Sequence, residues 1–247
     1  MIKYILLGII QGLTEFLPVS SSGHLVIAER ILGITENQIA LPVILHLGTA
    51  FSLLVFFSRN LLKILRDLRL IALLCTTTII TVIIALLGRD FFENLFSSVS
   101  YVAIALLITG AILIATKRFM SGQRREINLK DASILGLTQS IAIIPGISRS
   151  GITISTLLFR GIERENSFYY SFLAAIPVIF GAAVLEMRQI NYALRQDALK
   201  LSLGFCVSFF SGLASLWILK WVLKKAKLHY FGYYCIILAV IILVFLR

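Results

Sequence analysis

The chain has 247 residues, of which 59% are hydrophobic and only 14% are charged, and its formal net charge is +11. Soluble domains carry charges on close to a quarter of their residues, so this composition excludes an ordinary soluble domain and indicates a polytopic membrane protein. The basic residues do not indicate a nucleic-acid partner. They lie in short loops between apolar runs, where basic residues set membrane orientation.

The first predicted element is a helical hairpin at residues 2–33. Residues 4–14 and 25–32 are apolar, and between them Pro18 and the run Ser20-Ser-Ser-Gly23 break the helix. Neither arm is long enough to cross a hydrocarbon layer of about 30 Å. We therefore expect this segment to be re-entrant and to enter the membrane from the outside.

Seven charge-free runs follow: residues 41–58, 70–88, 99–116, 132–148, 167–185, 201–219 and 228–246. A helix of eighteen residues is about 27 Å long, so most of these runs can span. Three loops are rich in Lys and Arg, and the positive-inside rule places them in the cytoplasm: 59–69, 117–130 and 220–227. The loop that begins at Arg89 and contains Asp90 and Glu93 is then expected outside.

The run at 132–148 does not fit this pattern as a span, because it would force the basic loop at 220–227 to the outside. Pro145 and Gly146 break a helix in this run, and residues 150–159 are too few to cross. We therefore predict a second re-entrant hairpin at residues 131–160. The expected fold is an all-α polytopic protein of the inner (plasma) membrane, with six transmembrane helices, two re-entrant hairpins and both termini outside.

The two predicted hairpins share residues when the chain is shifted by 128 positions. The identical pairs are Gly8 and Gly136, Gln11 and Gln139, Ser20 and Ser148, Ser22 and Ser150, and Gly23 and Gly151. This match predicts one membrane domain, 1–247, with repeats at 1–118 and 129–247, each a hairpin followed by three spanning helices. Each repeat contains three spanning helices, an odd number, so the second repeat enters the membrane in the opposite orientation to the first. Inverted repeats bring their broken helices together near the midplane.

The two hairpin tips would bring together a cluster of polar side chains in this apolar chain. The first tip carries Gln11, Glu15, Ser20, Ser21, Ser22 and His24, and the second carries Gln139, Ser148, Arg149, Ser150 and Thr153. Ionisable groups at membrane depth cost at least a few kcal/mol each, so they are functional hypotheses by default. The alternative is a purely structural ion pair of Glu15 with Arg149, which would not require the hydroxyls and imidazole beside it.

Gln11 and Glu15 are four residues apart, so their side chains lie on one face of a helix. Mg²⁺ or Ca²⁺ takes such oxygens and commonly shares its coordination with a substrate phosphate. One carboxylate and one amide are a small ligand set, so the substrate would have to supply the rest. From the residues alone, metal ligation and polar packing both remain open.

The runs at 20–23 and 148–151 each follow a helix breaker and precede an apolar helical run. Such loops can aim backbone N–H groups and a helix N-terminus at an anion, and the guanidinium of Arg149 suits phosphate oxygens. Serine near His24 suggests a nucleophile with its acid or base. Together with Arg149, this combination favours phosphoryl transfer over acyl transfer.

Three other polar residues are interpreted as structural. His46 lies within a spanning run, where it either borders the site or is a hydrogen-bonded packing residue, and packing is the favoured interpretation. Arg160 is read as part of a solvated cytoplasmic turn, and Tyr234 as part of an interfacial aromatic belt.

Two stretches, QGLTEFLPVSSSGH from Gln11 and PGISRSGITI from Pro145, resemble the paired signatures of the undecaprenyl-pyrophosphate phosphatase family, the membrane enzymes associated with bacitracin resistance. The resemblance covers essentially the whole chain. It implies hydrolysis of the C55 carrier pyrophosphate to the monophosphate and inorganic phosphate, in recycling of the carrier for cell-wall synthesis. The implied cavity opens to the outer (periplasmic) face.

Carried over by position, the resemblance implies that Glu15 is an essential acidic residue, Ser21 a nucleophile, His24 an acid or base and Arg149 a phosphate ligand. Gln11 stands at the first place of the family's (Glu/Gln)-x-x-x-Glu motif, so Gln11 and Glu15 are the implied ligands of Mg²⁺ or Ca²⁺. The other residues of the two loops are expected to bind substrate: Ser20, Ser22, Gly23, Ser148, Ser150, Gly151 and Thr153.

Two other functions are compatible with parts of the sequence. A polyprenyl-phosphate transporter or flippase without catalysis is the main alternative, because inverted repeats and broken helices are transporter features. A serine hydrolase acting on acyl esters is disfavoured by Arg149 and by the lack of an obvious third triad member. The expected partners are a polyprenyl pyrophosphate lipid and the bilayer, and a homodimer is also open.

Overall fold

The structure is a computed structural model that describes residues 1–33, 40–59, 64, 66–88, 91–92, 95, 99–185 and 187–245. Side chains are described for all of these except 40 and 187–196. The acidic residues predicted in the outer loop, Asp90 and Glu93, fall outside the described residues.

The described part of the chain is all-helical apart from one isolated β-bridge between Arg124 and Ile162. Its ten α-helices are α1 (Ile2–Phe16), α2 (Ser21–Ile31), α3 (Ala40–Phe56), α4 (Leu68–Leu87), α5 (Val99–Ala115), α6 (Leu129–Ile141), α7 (Arg149–Phe159), α8 (Arg164–Leu185), α9 (Met187–Lys224) and α10 (His229–Phe245). The predicted all-α class is therefore confirmed for these residues.

Among the described residues, four helical segments are long and apolar enough to cross a membrane: Leu68–Leu87, Val99–Arg118, Arg164–Leu185 and Asp197–Lys224. The last of these begins at a kink in α9, where Asp197 has non-helical backbone angles. Two further apolar helices, Leu41–Phe56 and His229–Phe245, are shorter. All six overlap charge-free runs of the sequence, so the structure supports a multi-pass helical membrane protein.

Helices α1 and α2 form the first hairpin. Helix α1 ends at Phe16, just before Pro18, because proline cannot continue a helix. The chain then turns through Ser20, which adopts a positive φ of 68°. At the open end of the hairpin, Lys3 Nζ donates a hydrogen bond to the carbonyl of Leu32 at 2.8 Å. The two ends of the segment therefore lie side by side, as predicted for residues 2–33.

Helices α6 and α7 form the second hairpin, and Pro145 with Gly146 lies in the turn between them. Gly146 has a φ of 100°, a conformation that glycine adopts without steric cost. The two ends of the hairpin are joined by backbone hydrogen bonds. The N–H of Arg124 donates to Gly161 O at 3.1 Å, and the N–H of Glu163 donates to Arg124 O at 2.9 Å.

A fully buried carboxylate, Asp131, also holds the open end of the second hairpin together. Arg124 contacts its two oxygens at 2.5 and 2.9 Å, and Nε of Arg160 donates to Oδ1 at 2.9 Å. Asn128 caps α6 in a reciprocal capping box with Asp131. Arg160 is therefore not a freely solvated turn residue, because it links the end of α7 to the start of α6.

The first arms of the two hairpins pack against spanning helices in equivalent ways. Helix α1 crosses α9 at Gly8, where an added methyl carbon would lie 2.9 Å from the carbonyl of Gly204. Helix α6 crosses α4 at Gly136, where the same carbon would lie 2.9 Å from the carbonyl of Thr77. Gly8 and Gly136 are equivalent in the predicted repeats. In each case a glycine allows two helix backbones to approach closely.

The last helices of the two halves also cross at glycines. A methyl carbon on Gly110 of α5 would lie 2.8 Å from Gly232 O, and one on Gly232 of α10 would lie 2.7 Å from Gly110 O. The main core is apolar and aromatic. Phe16 packs edge-on against Phe172, with ring centroids 5.4 Å apart.

Candidate active site

The tips of the two hairpins touch each other. The backbone N–H of Gly146, in the second tip, donates to the Ser20 hydroxyl of the first tip at 3.1 Å. A methyl carbon on Gly23 would lie 3.3 Å from Gly146 Cα, and one on Gly151 would lie 3.4 Å from Pro18 Cβ. Small residues therefore line the contact between the tips.

Helices α2 and α7 both begin at this contact, with matching serine caps. The Ser20 hydroxyl accepts from the N–H of Gly23 at 3.3 Å, and the Ser148 hydroxyl accepts from the N–H of Gly151 at 3.1 Å. Each cap also lies 3.3 Å from the hydroxyl two residues further on, that of Ser22 or Ser150. The N-terminal ends of α2 and α7 carry partial positive charge, so their meeting point favours an anion.

Neighbouring helices fix both tips. The Thr109 hydroxyl on α5 donates to Gly146 O at 2.9 Å and accepts from the N–H of Ser148 at 3.1 Å. On α10, the thiol of Cys235 donates to Pro18 O at 3.7 Å. These contacts satisfy backbone groups that the broken helices leave without partners.

Glu15 and Arg149 form an ion pair across the contact between the tips. A terminal guanidinium nitrogen of Arg149 contacts Oε1 of Glu15. The Glu15 side chain is 1% exposed and that of Arg149 is 20% exposed. A charge buried to this extent is tolerated when it is paired, so each hairpin supplies the charge that the other needs.

The second carboxylate oxygen of Glu15 is surrounded by polar groups. It accepts hydrogen bonds from the Ser21 hydroxyl at 2.7 Å and from Nε2 of Gln11 at 2.9 Å. Nδ1 of His46 lies 3.2 Å away from the same oxygen. Ser21 is thus the serine whose hydroxyl lies next to a base, the Glu15 carboxylate.

His46 lies within the site, although its sequence position had favoured a packing role. Its Nδ1 is 2.8 Å from Nε2 of Gln11 as well as close to Glu15. Oε1 of Gln11 is buried and has no hydrogen-bond partner among the described residues. The sequence signal for His46 was a single imidazole inside an apolar run, which does not distinguish a core histidine from a site histidine.

His24 lies beside the cluster and has other partners. Its Nδ1 is 2.8 Å from Ser20 O, and its Nε2 is 2.8 Å from the hydroxyl of Tyr234. A carbonyl oxygen can only accept, so Nδ1 carries a proton, and in the neutral ring Nε2 accepts from the tyrosine. The His24 and Tyr234 rings are also stacked, with centroids 5.8 Å apart. Tyr234, interpreted as a belt residue, therefore orients the imidazole.

A cavity of about 420 Å³ opens onto this cluster. Its polar lining residues are Glu15, Ser21, Ser22, His46, Thr81, Gln139, Ser148 and Arg149. The remaining lining is apolar and comes from α3, α4, the turn after α6 and α8, for example Val43, Ala85, Ile147 and Ile179. A ligand with an anionic head and an apolar tail matches this separation of polar and apolar lining residues.

Gln139 is a second buried amide that faces the cavity. Its Nε2 donates to the Thr81 hydroxyl at 3.1 Å, and its Oε1 has no hydrogen-bond partner among the described residues. Gln139 is the repeat equivalent of Gln11, so the site contains one orphaned amide oxygen from each half of the protein.

Several residues expected to bind substrate form the framework behind the cavity. Thr153 is fully buried, donates to Arg149 O at 2.7 Å and lies 2.6 Å from the Ser171 hydroxyl. Others shape the two turns and are not among the residues that line the cavity: Ser20, Gly23, Ser150 and Gly151. Gln11 and His24 also do not line the cavity.

The fold and the site define a multi-pass helical membrane protein with an acid, an arginine and a serine hydroxyl at the junction of two helix N-termini. The chain belongs to the bacitracin resistance protein BacA family, whose profile matches residues 4–241.

Relatives match along nearly the whole chain. The chain is 42% identical to the undecaprenyl-diphosphatase of Halothermothrix orenii over 250 residues, covering 98% of this chain and 96% of that protein. It is 42% identical to that of Carboxydothermus hydrogenoformans, covering 97% and 95%. It is 36% identical to that of Methanococcus maripaludis, covering 98% and 99%.

Proposed function

We propose that this protein hydrolyses undecaprenyl diphosphate to undecaprenyl phosphate and inorganic phosphate, and so recycles the lipid carrier and confers bacitracin resistance. The observation that carries the proposal is the junction of Glu15, Ser21 and Arg149 at the polar end of an apolar cavity. The names of the relatives specify the lipid. The chemistry of the junction matches the diphosphate.

The proposed arrangement in the membrane is six spanning helices and two re-entrant hairpins, in two inverted repeats. Equivalent close packing at Gly8 and Gly136 supports the repeat. The hydrogen bonds that join the two ends of each hairpin support re-entrance. With the basic loops in the cytoplasm, the termini lie outside and the catalytic cavity opens to the outer face.

Substrate binding follows from the charges and the cavity lining. The terminal phosphate would lie between the N-termini of α2 and α7, against Arg149, where donors and partial positive charge converge. The prenyl chain would run along the apolar lining towards the bilayer. In phosphoryl transfer, positioning of the reacting groups and neutralisation of their charge are expected to account for most of the rate enhancement.

The Ser21 hydroxyl is the proposed nucleophile. Its oxygen attacks the terminal phosphorus, the bond from that phosphorus to the bridging oxygen breaks, and undecaprenyl phosphate leaves. Glu15, 2.7 Å from the hydroxyl, accepts the proton. Water then cleaves the serine phosphate ester. In the alternative path, Ser21 positions a water that attacks directly, and no phosphoserine forms.

His24 is proposed as the second proton-handling group. In the neutral ring Nδ1 donates to Ser20 O and Nε2 is the acceptor, so the imidazole can take up a proton at Nε2 when the Tyr234 hydroxyl moves aside. This role differs from direct activation of Ser21, which the geometry favours for Glu15.

A divalent cation, Mg²⁺ or Ca²⁺, is proposed as the cofactor. Oε1 of Gln11 is buried without a hydrogen-bond partner among the described residues, and Nε2 of the same amide donates to the Glu15 carboxylate, so these two side chains would supply oxygen ligands for a hard cation. No group of three or more His, Cys, Asp or Glu side chains converges in the described parts of the chain. Substrate phosphate oxygens would therefore complete the coordination. When bound, the cation would neutralise negative charge on the diphosphate.

The test is phosphate release from C15, C20 and C55 prenyl diphosphates by the purified protein, with and without a chelator. We expect release from the prenyl diphosphates and loss of release with chelator. Carrier movement in liposomes that is abolished by Ser21→Ala and Arg149→Ala, with no phosphate release from any substrate, would favour the transporter alternative instead.

A further inference from the structure

A second, larger cavity lies at the end of the molecule that carries the basic loops. Its volume is about 640 Å³, and it is bounded by the 3-10 helix after α5 (Thr116–Arg118), the loop that follows, the start of α8 and the end of α9. None of its lining residues belongs to the candidate active site. The two cavities are therefore separate.

The second cavity is strongly basic. Its cationic lining residues are Lys117, Arg118, Arg125, Arg164, Lys220 and Lys224, against two carboxylates, Glu163 and Glu165. Only one of these cations, Arg125, has a carboxylate partner among the described residues, at 3.1 Å from Glu163. Six cations less two anions leave a formal charge of +4.

Two of the cations are held in the cavity wall. Lys220 donates to the Tyr169 hydroxyl at 3.2 Å and lies over the Phe56 and Tyr169 rings. Arg164 donates to the carbonyl of Lys224 at 2.9 Å, at the end of α9. Neither contact neutralises a positive charge, and both reduce the freedom of a long side chain. The cavity therefore presents partly ordered cations rather than a diffuse surface charge.

Apolar side chains also line the second cavity. Phe168 and Leu223 are each 2% exposed, and Met120 is half-buried. An inorganic anion gains nothing from this apolar wall, whereas an amphiphile buries the surface that these side chains still expose, chiefly that of Met120. A phosphate monoester carries close to two negative charges at neutral pH, more than a phosphodiester, and so suits an excess of four cations better.

We propose that this basic cavity is a second binding site, for the headgroup of a lipid phosphate monoester. The terminal phosphate lies among Lys117, Lys220 and Lys224, and the first carbons of the lipid contact Phe168 and Leu223. This site is distinct from the proposed reaction at Glu15, and its ligand is of the class that the reaction releases.

The test is equilibrium binding of radiolabelled geranylgeranyl monophosphate to the full chain in detergent, with Arg149→Ala to weaken the candidate active site. In that background, the pair Lys220→Gln and Lys224→Gln is expected to weaken binding at least tenfold. The matched control pair is Lys225→Gln and Lys227→Gln. It removes the same charge from the same region, but these lysines lie over Trp221 and Tyr230 and are not among the residues that line the cavity.

We expect the control pair to change the dissociation constant less than twofold, and inorganic phosphate to compete at least 100-fold less well than the lipid. Equal weakening by both pairs would overturn the site, since general surface charge would then suffice. Equal competition by inorganic phosphate or by phosphatidylglycerol would overturn its assignment to a lipid phosphate monoester. Thermal unfolding of each variant checks that it is folded, and phosphate release with the Arg149 side chain restored tests the reaction separately.

Discussion

Arg149, the first residue of α7, forms an ion pair with Glu15, near the end of α1, and so joins the tips of two hairpins. Each charge is largely withdrawn from water. Separation of the tips would leave both unpaired, at a cost of several kcal/mol. The same contact places a carboxylate, a guanidinium and the Ser21 hydroxyl around one end of the catalytic cavity.

Replacement of Ser21 tests the nucleophile. Because the Ser21 hydroxyl lies 2.7 Å from Glu15, we expect Ser21→Ala to lower phosphate release at least about 100-fold. Ser22→Ala is the control, since Ser22 also lines the cavity but bonds to Ser20, and about a threefold loss or less is expected. Rapid-quench labelling should give a phosphoserine at position 21. Absence of label at normal turnover would favour direct attack by water.

The contact between His24 and Tyr234 tests the proposed proton handling. We expect His24→Ala to lower phosphate release about 10- to 100-fold, and Tyr234→Phe to shift the pH profile of the rate, because the tyrosine holds the acceptor nitrogen of the imidazole. The measurement is the rate as a function of pH. Unchanged rates and profiles in both folded variants would remove His24 from the mechanism.

The crossing of α1 and α9 predicts a large difference between two glycines. A methyl carbon at Gly12 would lie 2.6 Å from Ser208 O and 2.7 Å from the Gly212 nitrogen, both backbone atoms. We expect Gly12→Ala to destabilise the protein by about 1–3 kcal/mol. Gly181→Ala is the control, because nothing lies within 4 Å of its added carbon. The midpoint of thermal unfolding in detergent should fall only for Gly12→Ala, and equal midpoints would contradict the packing.

The buried Asp131 predicts a stability effect with a defined pH dependence. Burial raises its pKa, but hydrogen bonds from Arg124, Asn128 and Arg160 outweigh this and hold it at about 2, against an ordinary 3.8. The depressed pKa means that the stabilisation is fully present above pH about 4 and is lost as the pH falls through about 2. We expect Asp131→Asn to cost up to about 3 kcal/mol at neutral pH, because both arginines are partly exposed.

The control for Asp131 is Glu126→Gln, which removes an exposed pair with Arg69 and should cost less than about 0.5 kcal/mol. Unfolding midpoints of the wild type and Asp131→Asn should converge as the pH approaches 2. A difference that persisted unchanged at low pH would contradict the proposed charge network.

The helices and the hairpin breaks were predictable because their causes are local. Long charge-free runs specify apolar helices, and Pro18 and Pro145 interrupt two of them. The match between the two hairpin segments also predicted that their tips would come together. These features can be recognised in the sequence because the backbone geometry at such positions requires particular residue types.

Side-chain partners depend on packing between distant helices, and the sequence pattern did not specify them. His46 approaches Glu15 from α3, and Tyr234 approaches His24 from α10. Arg160 turns towards Asp131 because the two ends of the second hairpin meet. None of these contacts has a spacing rule along the chain, so a packing histidine, a belt tyrosine and a solvated arginine were the reasonable interpretations.

The most direct test of a single site built from both hairpins is a double-mutant cycle on phosphate release from a prenyl diphosphate, with Glu15→Gln, Arg149→Gln and both together. Each single variant should release phosphate at least about 100-fold more slowly than the wild type. The double variant should be no slower than the slower of the two single variants, because the two residues act as a unit. Arg125→Gln, which breaks the exposed pair with Glu163, should leave the rate within about twofold. Multiplying losses in the double variant, or a folded single variant that retains more than about a third of wild-type release, would contradict the account.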